Sequence, residues 1–417
     1  MDFAYSPKVA MLRERLEEFM NRLIVPRFAE WRDRVAGGEY PPAFIEDLKA
    51  QARAAGLWNL FLPPLRPDEP GTRLDNLEYA PLAEIMGRVA WASEVFNCSA
   101  PDTGNMELLH RFGTAAQRER WLVPLLEGHI RSAFAMTEPD VASADATNIQ
   151  TTIRREGGDY VINGRKWFIT GAAHPHCRLL IVIGKTDPEA PKHRRQSMVL
   201  IPSANPGVEI VRNLSIMHQF HPEGHCEIVL RNVRVPQENL LGDEGEGFAM
   251  AQARLGPGRI HHCMRSIGQA ELAQALLLDR VRERRTFGRY LHERGVVREW
   301  IAHNRLEIDQ ARWLVLAAAW RIDRDGVRTA RKEIAMIKAV VPRILTRVVD
   351  RTMQAFGAMG IGPDTPLPEL WGWGRALRFA DGPDEVHLDQ VARIELESAQ
   401  SRRGESAAYL IPPTAQN

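Results

Sequence analysis

The spacing of hydrophobic residues divides the chain into three parts. From Val9 to about Gly128, apolar residues recur every three or four positions, which is the period of a helix that buries one face. Between about Arg131 and Pro236 the period changes to two and β-branched residues become frequent, as in half-buried strands. After Leu241 the helical period returns.

Helices and strands therefore occur in separate blocks, which argues against a parallel βαβ sheet and for an α+β protein with segregated domains. Long helices are predicted at 296–325 and 328–356, and loops at 37–42 and 63–71, where glycine and proline interrupt the pattern. The Asn163–Gly164 pair lies between two strand-like runs and predicts the turn of a β-hairpin. The predicted parts are an N-terminal helical domain (1–130), a middle β domain (131–240) and a C-terminal helical bundle (241–417).

The composition fits a compact multidomain protein. Its 417 residues exceed the roughly 250–300 at which a single core stops growing. With 54 Lys and Arg against 53 Asp and Glu, no overall charge draws the chain to nucleic acid or an anionic membrane. The four cysteines form no CxxC pair and suit free thiols. Since no signal peptide or long apolar run is visible, we expect a cytoplasmic protein without a membrane span.

Candidate chemistry begins where the helical pattern gives way to strands, at FAMTEPDVASADATNI (134–149). Taken alone, this segment could be a surface turn. It resembles the first signature of the acyl-CoA dehydrogenase family, in which backbone amides and a Thr hydroxyl bind the flavin ring and a Ser lies near the pyrophosphate and CoA. A flavin needs such fixed polar groups around an apolar face. The resemblance implies FAD contacts at Phe134, Ala135, Met136, Thr137 and Ser143, with Ser143 also near the substrate.

Three further segments resemble motifs of the same family in the same order. RKWFITGAA is similar to the second flavin motif, with Phe where the family usually has Trp. RERRTFGRYL and MQAFGAMGI resemble two motifs that reach the FAD of an adjacent subunit, and a planar guanidinium suits its pyrophosphate. The residues implied to bind FAD are Phe168, Ile169, Thr170, Arg284, Thr286, Phe287, Gln354, Gly357 and Ala358.

The segment RFADGPDEVHL stands where the family has its catalytic glutamate, and Asp381 takes that position. Its side chain is shorter by about 1.5 Å, which matters for a base that must reach its proton. Other family members carry the base on an earlier helix, but Gly258 stands there in this chain. The resemblance therefore implies that Asp381 is the catalytic base and that Pro383, Asp384 and Glu385 touch the flavin.

The stretch RLGPGRIHH precedes a predicted helix around Ile267 and resembles the family's CoA-binding region. The resemblance implies that Gly256, Pro257, Gly258, Arg259 and, near the base, Gly382 contact the substrate.

Together these resemblances imply FAD-dependent α,β-dehydrogenation of an acyl-CoA to a trans-2-enoyl-CoA. They also imply a homodimer or homotetramer that shares FAD across its interface, and electron-transfer flavoprotein as the acceptor. ADGPDEVH and LGPGRIHH resemble most the branch whose eukaryotic members are fused to an aminoglycoside-kinase-like domain, a branch associated with 4-hydroxyacyl-CoA breakdown through phosphorylated intermediates. An acyl-CoA oxidase and a catalytically silent scaffold of the same fold are the alternatives.

A histidine-rich loop, HQFHPEGHC, contains His218, His221, His225 and Cys226 and lies after HPHC at 174–177. A metal site is one interpretation, but no regular ligand spacing continues the pattern. We predict no metal and expect these imidazoles at a polar opening near the substrate, where they could face a substituted acyl tail.

Overall fold

The computed structural model describes residues 4–61, 71–400, 404, 406 and 409–410. Helices, then strands, then helices follow one another along the chain, so the predicted order of the three parts is confirmed. The predicted loop at 37–42 lies between two helices, whereas that at 63–71 falls outside the described residues except for Gly71. Across the described part, none of the helices combines the length and apolarity needed to cross a bilayer.

The first part is a set of packed helices. Helix α4 begins at a capping box in which the Asp75 side chain accepts from the Glu78 N–H and Glu78 reaches back to the Asp75 N–H. Buried side chains such as Leu16, Tyr79 and Leu82 form the core between α1 and α4. The helices are α1 (Pro7–Phe19), α2 (Phe28–Ala36), α3 (Phe44–Ala54), α4 (Asn76–Gly87), α5 (Ala92–Val95), α6 (Asp102–Phe112), α7 (Ala115–Gln117) and α8 (Val123–Leu126).

The second part is a mixed sheet in the order β6-β7-β3-β2-β4-β5-β8, with β1 parallel to β4. Its inner face is lined by alternate apolar residues such as Ile162, Val182 and Ile228. The strands are β1 (Arg131–Ala135), β2 (Thr152–Glu156), β3 (Asp159–Thr170), β4 (Cys177–Lys185), β5 (Gln196–Pro202), β6 (Val208–Asn213), β7 (His225–Pro236) and β8 (Leu240–Leu241).

The predicted hairpin turn at Asn163–Gly164 is wrong, because both residues lie inside β3. The turn between β2 and β3 is Gly157–Gly158, with Gly157 at φ +63°. Gly164 allows the close approach of Thr151, because a Cβ at position 164 would lie 2.3 Å from Thr151 Oγ1. The pairing of β3 with β7 is irregular between Ile162 and Gly164, which marks the site as a bulge.

The third part is a bundle around a long helix. Its elements are α9 (Gly247–Glu283), the short pair β9 (Arg285–Thr286) and β10 (Arg289–Tyr290), α10 (Gly295–Asp325), α11 (Arg331–Phe356), α12 (Leu367–Ala376) and α13 (Asp384–Gln400). The two predicted long helices correspond to α10 and α11. Helices α4 and α9 cross closely, because a Cβ on Gly268 would lie 1.8 Å from the Glu84 carbonyl oxygen. The start of α9 packs against β5, where a Cβ on Gly247 would lie 2.7 Å from the Gln196 carbonyl oxygen.

Candidate active site

A cavity of about 1660 Å³ lies between the sheet, α6, α9 and the segment that joins α12 to α13. Pockets for single small ligands hold roughly 300–1,000 Å³, so this one has room for more than one ligand. Predicted site residues that line it are Phe134, Met136, Thr137, Ser143, Phe168, Thr170, Gly256, Gly258, Arg259, Asp381, Gly382 and Pro383.

The remaining predicted residues do not line this cavity. Ala135, Ile169 and Pro257 are buried in the interior, and Asp384 and Glu385 lie at the start of α13. The set implied to bind a neighbouring subunit's FAD lies elsewhere and is mostly exposed, with the Phe287 side chain 99% exposed. That set is Arg284, Thr286, Phe287, Gln354, Gly357 and Ala358.

The stretch RLGPGRIHH does not precede a helix as predicted but lies inside α9. The helix begins at Gly247 and continues through Pro257, although a proline inside a helix usually indicates its boundary in a sequence. As a result, Arg254, Gly258 and His262 are carried on one rigid element that lines the cavity.

The loop after β1 is held against β3 by reciprocal hydrogen bonds. The Thr137 hydroxyl donates to the Trp167 carbonyl at 2.5 Å, and the Trp167 N–H donates to the Thr137 carbonyl at 3.0 Å. The Ser143 hydroxyl accepts from the Glu138 N–H at 3.1 Å. The loop and the end of β3 therefore form a fixed wall in which Trp167 and Phe168 supply aromatic faces.

A buried ion pair that sequence reasoning missed supports this wall. Lys166 Nζ donates to Glu138 Oε1 at 2.9 Å, to the Met136 carbonyl at 3.0 Å and to the Ile183 carbonyl at 2.8 Å. Glu138 in turn accepts from the Gln150 N–H at 2.6 Å and the Thr151 N–H at 2.9 Å. Burial lowers the pKa of Lys166 to about 8 even though Glu138 favours its charged form.

The catalytic candidate Asp381 lies in the turn that follows α12. The Ala380 and Gly382 N–H groups donate to the Ala376 and Phe379 carbonyls, each at 3.1 Å, whereas the Asp381 N–H has no acceptor among the described residues. Asp381 is in the left-handed region at φ +56°, and Arg259 Nε donates to its carbonyl at 2.9 Å. A Cβ on Gly258 would lie 3.5 Å from Asp381 Oδ2, so α9 leaves open space opposite the carboxylate.

The charge of Asp381 is stabilised by its surroundings. Burial alone would raise its pKa, but His262 and the guanidinium groups of Arg254 and Arg259 prevail and hold the pKa below 3.8. Burial and the Arg265 cation lower the pKa of His262 to about 3, so that imidazole is neutral near pH 7. The carboxylate is therefore ionised, and the fixed charges that favour it are those of Arg254, Arg259 and Lys338.

Arg254 is a second residue that sequence reasoning missed. Its side chain is 8% exposed and lies with Cζ 4.2 Å from the Phe134 ring centroid. Its Nε donates to Asn105 Oδ1 at 3.0 Å and its Nη2 donates to the Pro101 carbonyl at 3.3 Å, but no carboxylate of the described residues forms an ion pair with it. Asp381 acts on this guanidinium only at longer range, so a buried cation in the cavity wall without a direct ion pair among the described residues can bind an anionic group in the cavity.

The histidine-rich loop contributes to the cavity in part. His221 and His225 line it, and the Thr170 hydroxyl lies 3.0 Å from His225 Nδ1. Burial, with a contribution from His221, lowers the pKa of His225 to about 4, so this imidazole is neutral. Within the described ranges, no three His, Cys, Asp or Glu side chains converge on a possible metal position. All four cysteines are free and buried.

The fold and the cavity together indicate the class of protein. A helical, β and helical chain with a large cavity at the junction has the architecture of the acyl-CoA dehydrogenases. Family models agree over the whole fold: the N-terminal domain of acyl-CoA dehydrogenase matches 6–129, the middle domain 133–233 and the C-terminal domain 245–396. The chain belongs to the acyl-CoA dehydrogenase family.

Individual relatives agree. The probable acyl-CoA dehydrogenase FadE2 of Mycobacterium tuberculosis is 57% identical over 96% of this chain and 98% of its own length. Acyl-CoA dehydrogenase family member 10 of Mus musculus is 53% identical over 96% of this chain, which spans only 38% of that longer protein. Human family member 11 is 45% identical, and 50% of its length is covered.

Solved structures show the same fold. A Mycobacterium abscessus protein assigned to the acyl-CoA dehydrogenases matches with a TM-score of 0.91 and 47% identity, over 95% of this chain and 100% of that one. Butyryl-CoA dehydrogenase from Megasphaera elsdenii matches with a TM-score of 0.81 and 26% identity, over 95% and 100%. The protein is thus an acyl-CoA dehydrogenase, and its cofactor is FAD.

The residues present fit that cofactor. Trp167 and Phe168 offer apolar faces, Thr137 and Thr170 offer hydroxyls, and the buried His225 Nε2 has no hydrogen-bond partner among the described residues. The cavity can hold the flavin together with an acyl thioester.

Proposed function

We propose that this enzyme removes a proton and a hydride from neighbouring carbons of an acyl-CoA, with Asp381 as the base, to give a trans-2-enoyl-CoA. The observation that carries this proposal is the position of Asp381, whose ionised carboxylate lines the same cavity as the flavin-contacting candidates Phe168 and Thr170. A general base has to share one dry site with its substrate and the electron acceptor.

The chain's own groups would act on the thioester as follows. The Asp381 carboxylate accepts the α proton, while the Asp381 N–H, which has no acceptor among the described residues, donates to the thioester carbonyl oxygen. Stabilising that oxygen is necessary because an α C–H is too weak an acid to yield to a carboxylate unaided. Bound FAD supplies the acceptor for the β hydrogen and its electron pair. The double bond then forms between the α and β carbons.

The shorter side chain of aspartate is accommodated by the surrounding backbone. Gly258 leaves space opposite Asp381 Oδ2, and Arg259 fixes the Asp381 carbonyl. A substrate can therefore approach the carboxylate closely from the side of α9, which offsets the loss of one methylene.

Replacement of the base tests this assignment. We expect Asp381→Asn to fold and to retain FAD but to leave the flavin oxidised when acyl-CoA is added without oxygen. The matched control is Asp389→Asn, which removes an exposed carboxylate of α13. Full flavin bleaching by Asp381→Asn would exclude Asp381 as the base.

The FAD site extends, in this proposal, across a subunit interface of a homodimer or homotetramer. Support comes from Arg284, Phe287 and Gln354, which lie outside the cavity and are exposed in the single chain. Groups that resemble cofactor-binding motifs yet face solvent are suited to a neighbouring subunit's cofactor. Gel filtration of the flavin-loaded protein tests the oligomeric state.

Electron-transfer flavoprotein is the proposed acceptor of the electrons. A structure reported for the electron transferring flavoprotein of Acidaminococcus fermentans contains a chain that matches this one with a TM-score of 0.80 and 26% identity. Peroxide formation at the rate of substrate turnover in air would instead show an oxidase.

The proposed substrates carry a hydroxyl or phosphate group on the fourth carbon of the acyl chain. Support comes from the resemblance to family members 10 and 11 and from Arg254, a buried guanidinium of the cavity wall that forms no direct ion pair among the described residues. His221 and His225 line the cavity as well, whereas His218 does not. A plain apolar tail would leave these polar groups unpaired.

A further inference from the structure

His262 lies on α9 beside the proposed base. Its side chain is 13% exposed and lines the cavity, and its Nε2 lies 3.6 Å from Asp381 Oδ2. On the other side of the ring, Nδ1 lies 3.2 Å from Arg265 Nη2. Three side chains therefore follow one another in a row: Arg265, His262 and Asp381.

The order of this row fixes the tautomer of His262. A guanidinium can only donate, so the contact with Arg265 requires an unprotonated Nδ1. The imidazole is neutral, because burial and the Arg265 charge lower its pKa to about 3. A neutral ring with a bare Nδ1 carries its proton on Nε2, which is the atom that faces Asp381.

We propose that His262, in the tautomer set by Arg265, is a positioning residue for the Asp381 carboxylate: it holds one carboxylate oxygen and leaves the other to take the α proton on the side that Gly258 keeps open. This inference rests on the proposed role of Asp381 as the base. No proton passes through His262 in this arrangement, since its Nε2 already carries one.

The need for such a residue follows from the shape of the site. Arg254, Arg259 and Lys338 lie near enough to act on the charge of Asp381, but no described side chain donates a hydrogen bond to its carboxylate, and Gly258 places no side chain against Oδ2. The distance of 3.6 Å is longer than a hydrogen bond, but donors in substrate-free sites are often distant and close in when substrate binds. A small rotation of the Asp381 side chain brings the two atoms together.

The adjacent His261 shows that the arrangement is specific to one position. His261 points to a different face of α9, where its ring packs 4.9 Å from the Tyr79 ring and 6.0 Å from the Phe61 ring, and it does not line the cavity. It is more deeply buried than His262, at 2% exposed, and no contact joins it to Asp381 among the described residues. His261→Gln is therefore the matched control for any change at His262.

Three substitutions distinguish positioning from general packing. His262→Gln places an amide donor near the former Nε2 position, His262→Asn places it one bond short, and His262→Phe keeps the ring without a donor. Anaerobic flavin bleaching by acyl-CoA, with and without deuterium on the α carbon, measures the proton-transfer step. We expect the rate to fall roughly 10- to 100-fold in His262→Asn and His262→Phe, since small misplacements of a catalytic group have effects of that size.

His262→Gln should recover to within about threefold of the wild type, and KM should change little in all three variants. Equal loss in His262→Gln and His262→Asn, or wild-type rates in His262→Phe, would overturn the proposal. If His262→Phe does not fold, the comparison between Gln and Asn still decides it. His261→Gln should bleach at the wild-type rate.

A measurement that is independent of turnover is the ¹⁵N spectrum of histidine-labelled protein. The signal that disappears in His262→Gln should be that of a ring protonated at Nε2 only. A ring protonated at Nδ1, or at both nitrogens, would overturn the inference. Asp381→Asn distinguishes failure of the base assignment from failure of the inference about His262. Flavin bleaching by Asp381→Asn would show that Asp381 is not the base. An inactive Asp381→Asn together with a wild-type rate in His262→Phe would exclude only the role of His262.

Discussion

Lys166 Nζ lies 2.9 Å from Glu138 Oε1, and the two side chains are 0% and 3% exposed. The pair joins β3 to the loop after β1, because Lys166 also donates to the Met136 carbonyl and Glu138 accepts from the backbone at Gln150 and Thr151. A charge pair that is this buried and this fully hydrogen-bonded fixes the geometry of its surroundings, here the cavity wall formed by the loop after β1 and the end of β3.

Lys166→Met should therefore destabilise both the fold and the cofactor site. Removing one partner leaves a buried charge without its counterion, which costs about 3–5 kcal/mol in other proteins. We expect a lower free energy of unfolding and a weaker affinity for added FAD, measured by denaturant titration and by flavin fluorescence. The control is Lys192→Met, whose pair with Asp145 is 59% and 44% exposed and should matter by about 0–1 kcal/mol. Equal behaviour of the two variants would contradict the role of Lys166.

The pH at which kcat/KM falls on the acid side should depend on the positively charged groups around Asp381. The groups that face it are Arg254, Arg259 and His262 from α9, Lys338 from α11 and His387 from α13. Because its pKa lies below 3.8, kcat/KM should not fall through protonation of Asp381 above about pH 5.

Arg259→Gln removes one of these positive charges, so the pKa of Asp381 should rise and the acid limb should move to higher pH. The position of the limb, not the size of kcat/KM, is the measurement, because Arg259 is also a candidate for CoA binding. An acid limb that stays in place would show that Arg259 does not act on the base.

The sequence predicts the order of helices and strands because hydrophobic period depends on nearest neighbours along the chain. Asn163–Gly164 shows where that reasoning fails. The pair has the composition of a tight turn, but Gly164 is needed because Thr151 on the neighbouring segment approaches it too closely for a side chain. A glycine required by a contact with Thr151 therefore looks, in the sequence, like a glycine required by a turn. The turn itself is formed by Gly157–Gly158.

The site shows the same limit. The resemblance to family motifs predicted Thr137, Thr170 and Asp381 as site residues, and all three line one cavity. Arg254 and His262 stand at the two ends of the RLGPGRIHH stretch, but the resemblance assigned neither of them a role, since their significance depends on burial and on neighbours from distant segments. A charged residue four positions before Gly258 on a helix reads as solvent-exposed until the fold shows that it is 8% exposed.

Arg254 should determine preference for an anionic acyl substituent. We expect Arg254→Met to lower kcat/KM for a 4-phosphoacyl-CoA roughly 10- to 100-fold more than for a plain acyl-CoA, in line with the loss of about 1.5–3 kcal/mol for a charge-assisted hydrogen bond. Both substrates also lose the contribution of Arg254 to the charge of Asp381. Steady-state assays with both substrates measure the ratio. Faster turnover of plain than of 4-substituted acyl-CoA by the wild type would contradict the proposed substrate class.

Gly104→Ala offers an indirect test of the same residue. A Cβ there would lie 3.0 Å from Arg254 Cγ and 3.1 Å from its Nε, so the guanidinium has to shift. The ratio of the two substrates should change in the same direction as in Arg254→Met but less. A change in stability without a change in this ratio would assign Arg254 to packing.

Asp384 has a structural role that its predicted contact with the flavin did not include. Its Oδ2 accepts from Arg343 Nε at 2.8 Å and from Arg378 Nε at 2.6 Å, and it begins α13, where a negative charge is favourable. Burial opposes ionisation, but the hydrogen bonds from these two arginines prevail and lower the pKa of Asp384 below 3.8.

Asp384→Asn should therefore lower the free energy of unfolding at pH 7 by about 1.5–3 kcal/mol, since it weakens the charged hydrogen bonds to two arginines that are themselves partly exposed. The folded-state pKa lies below the unfolded value, so this stabilisation is complete above the unfolded pKa and is lost as the pH falls through the folded one. The difference from the wild type, measured by denaturant titration, should stay constant from about pH 8 to pH 5 and narrow below about pH 4. Asp389→Asn, which breaks an exposed pair with Arg393, should have little effect. Loss of FAD from Asp384→Asn at unchanged stability would instead support direct contact with the flavin.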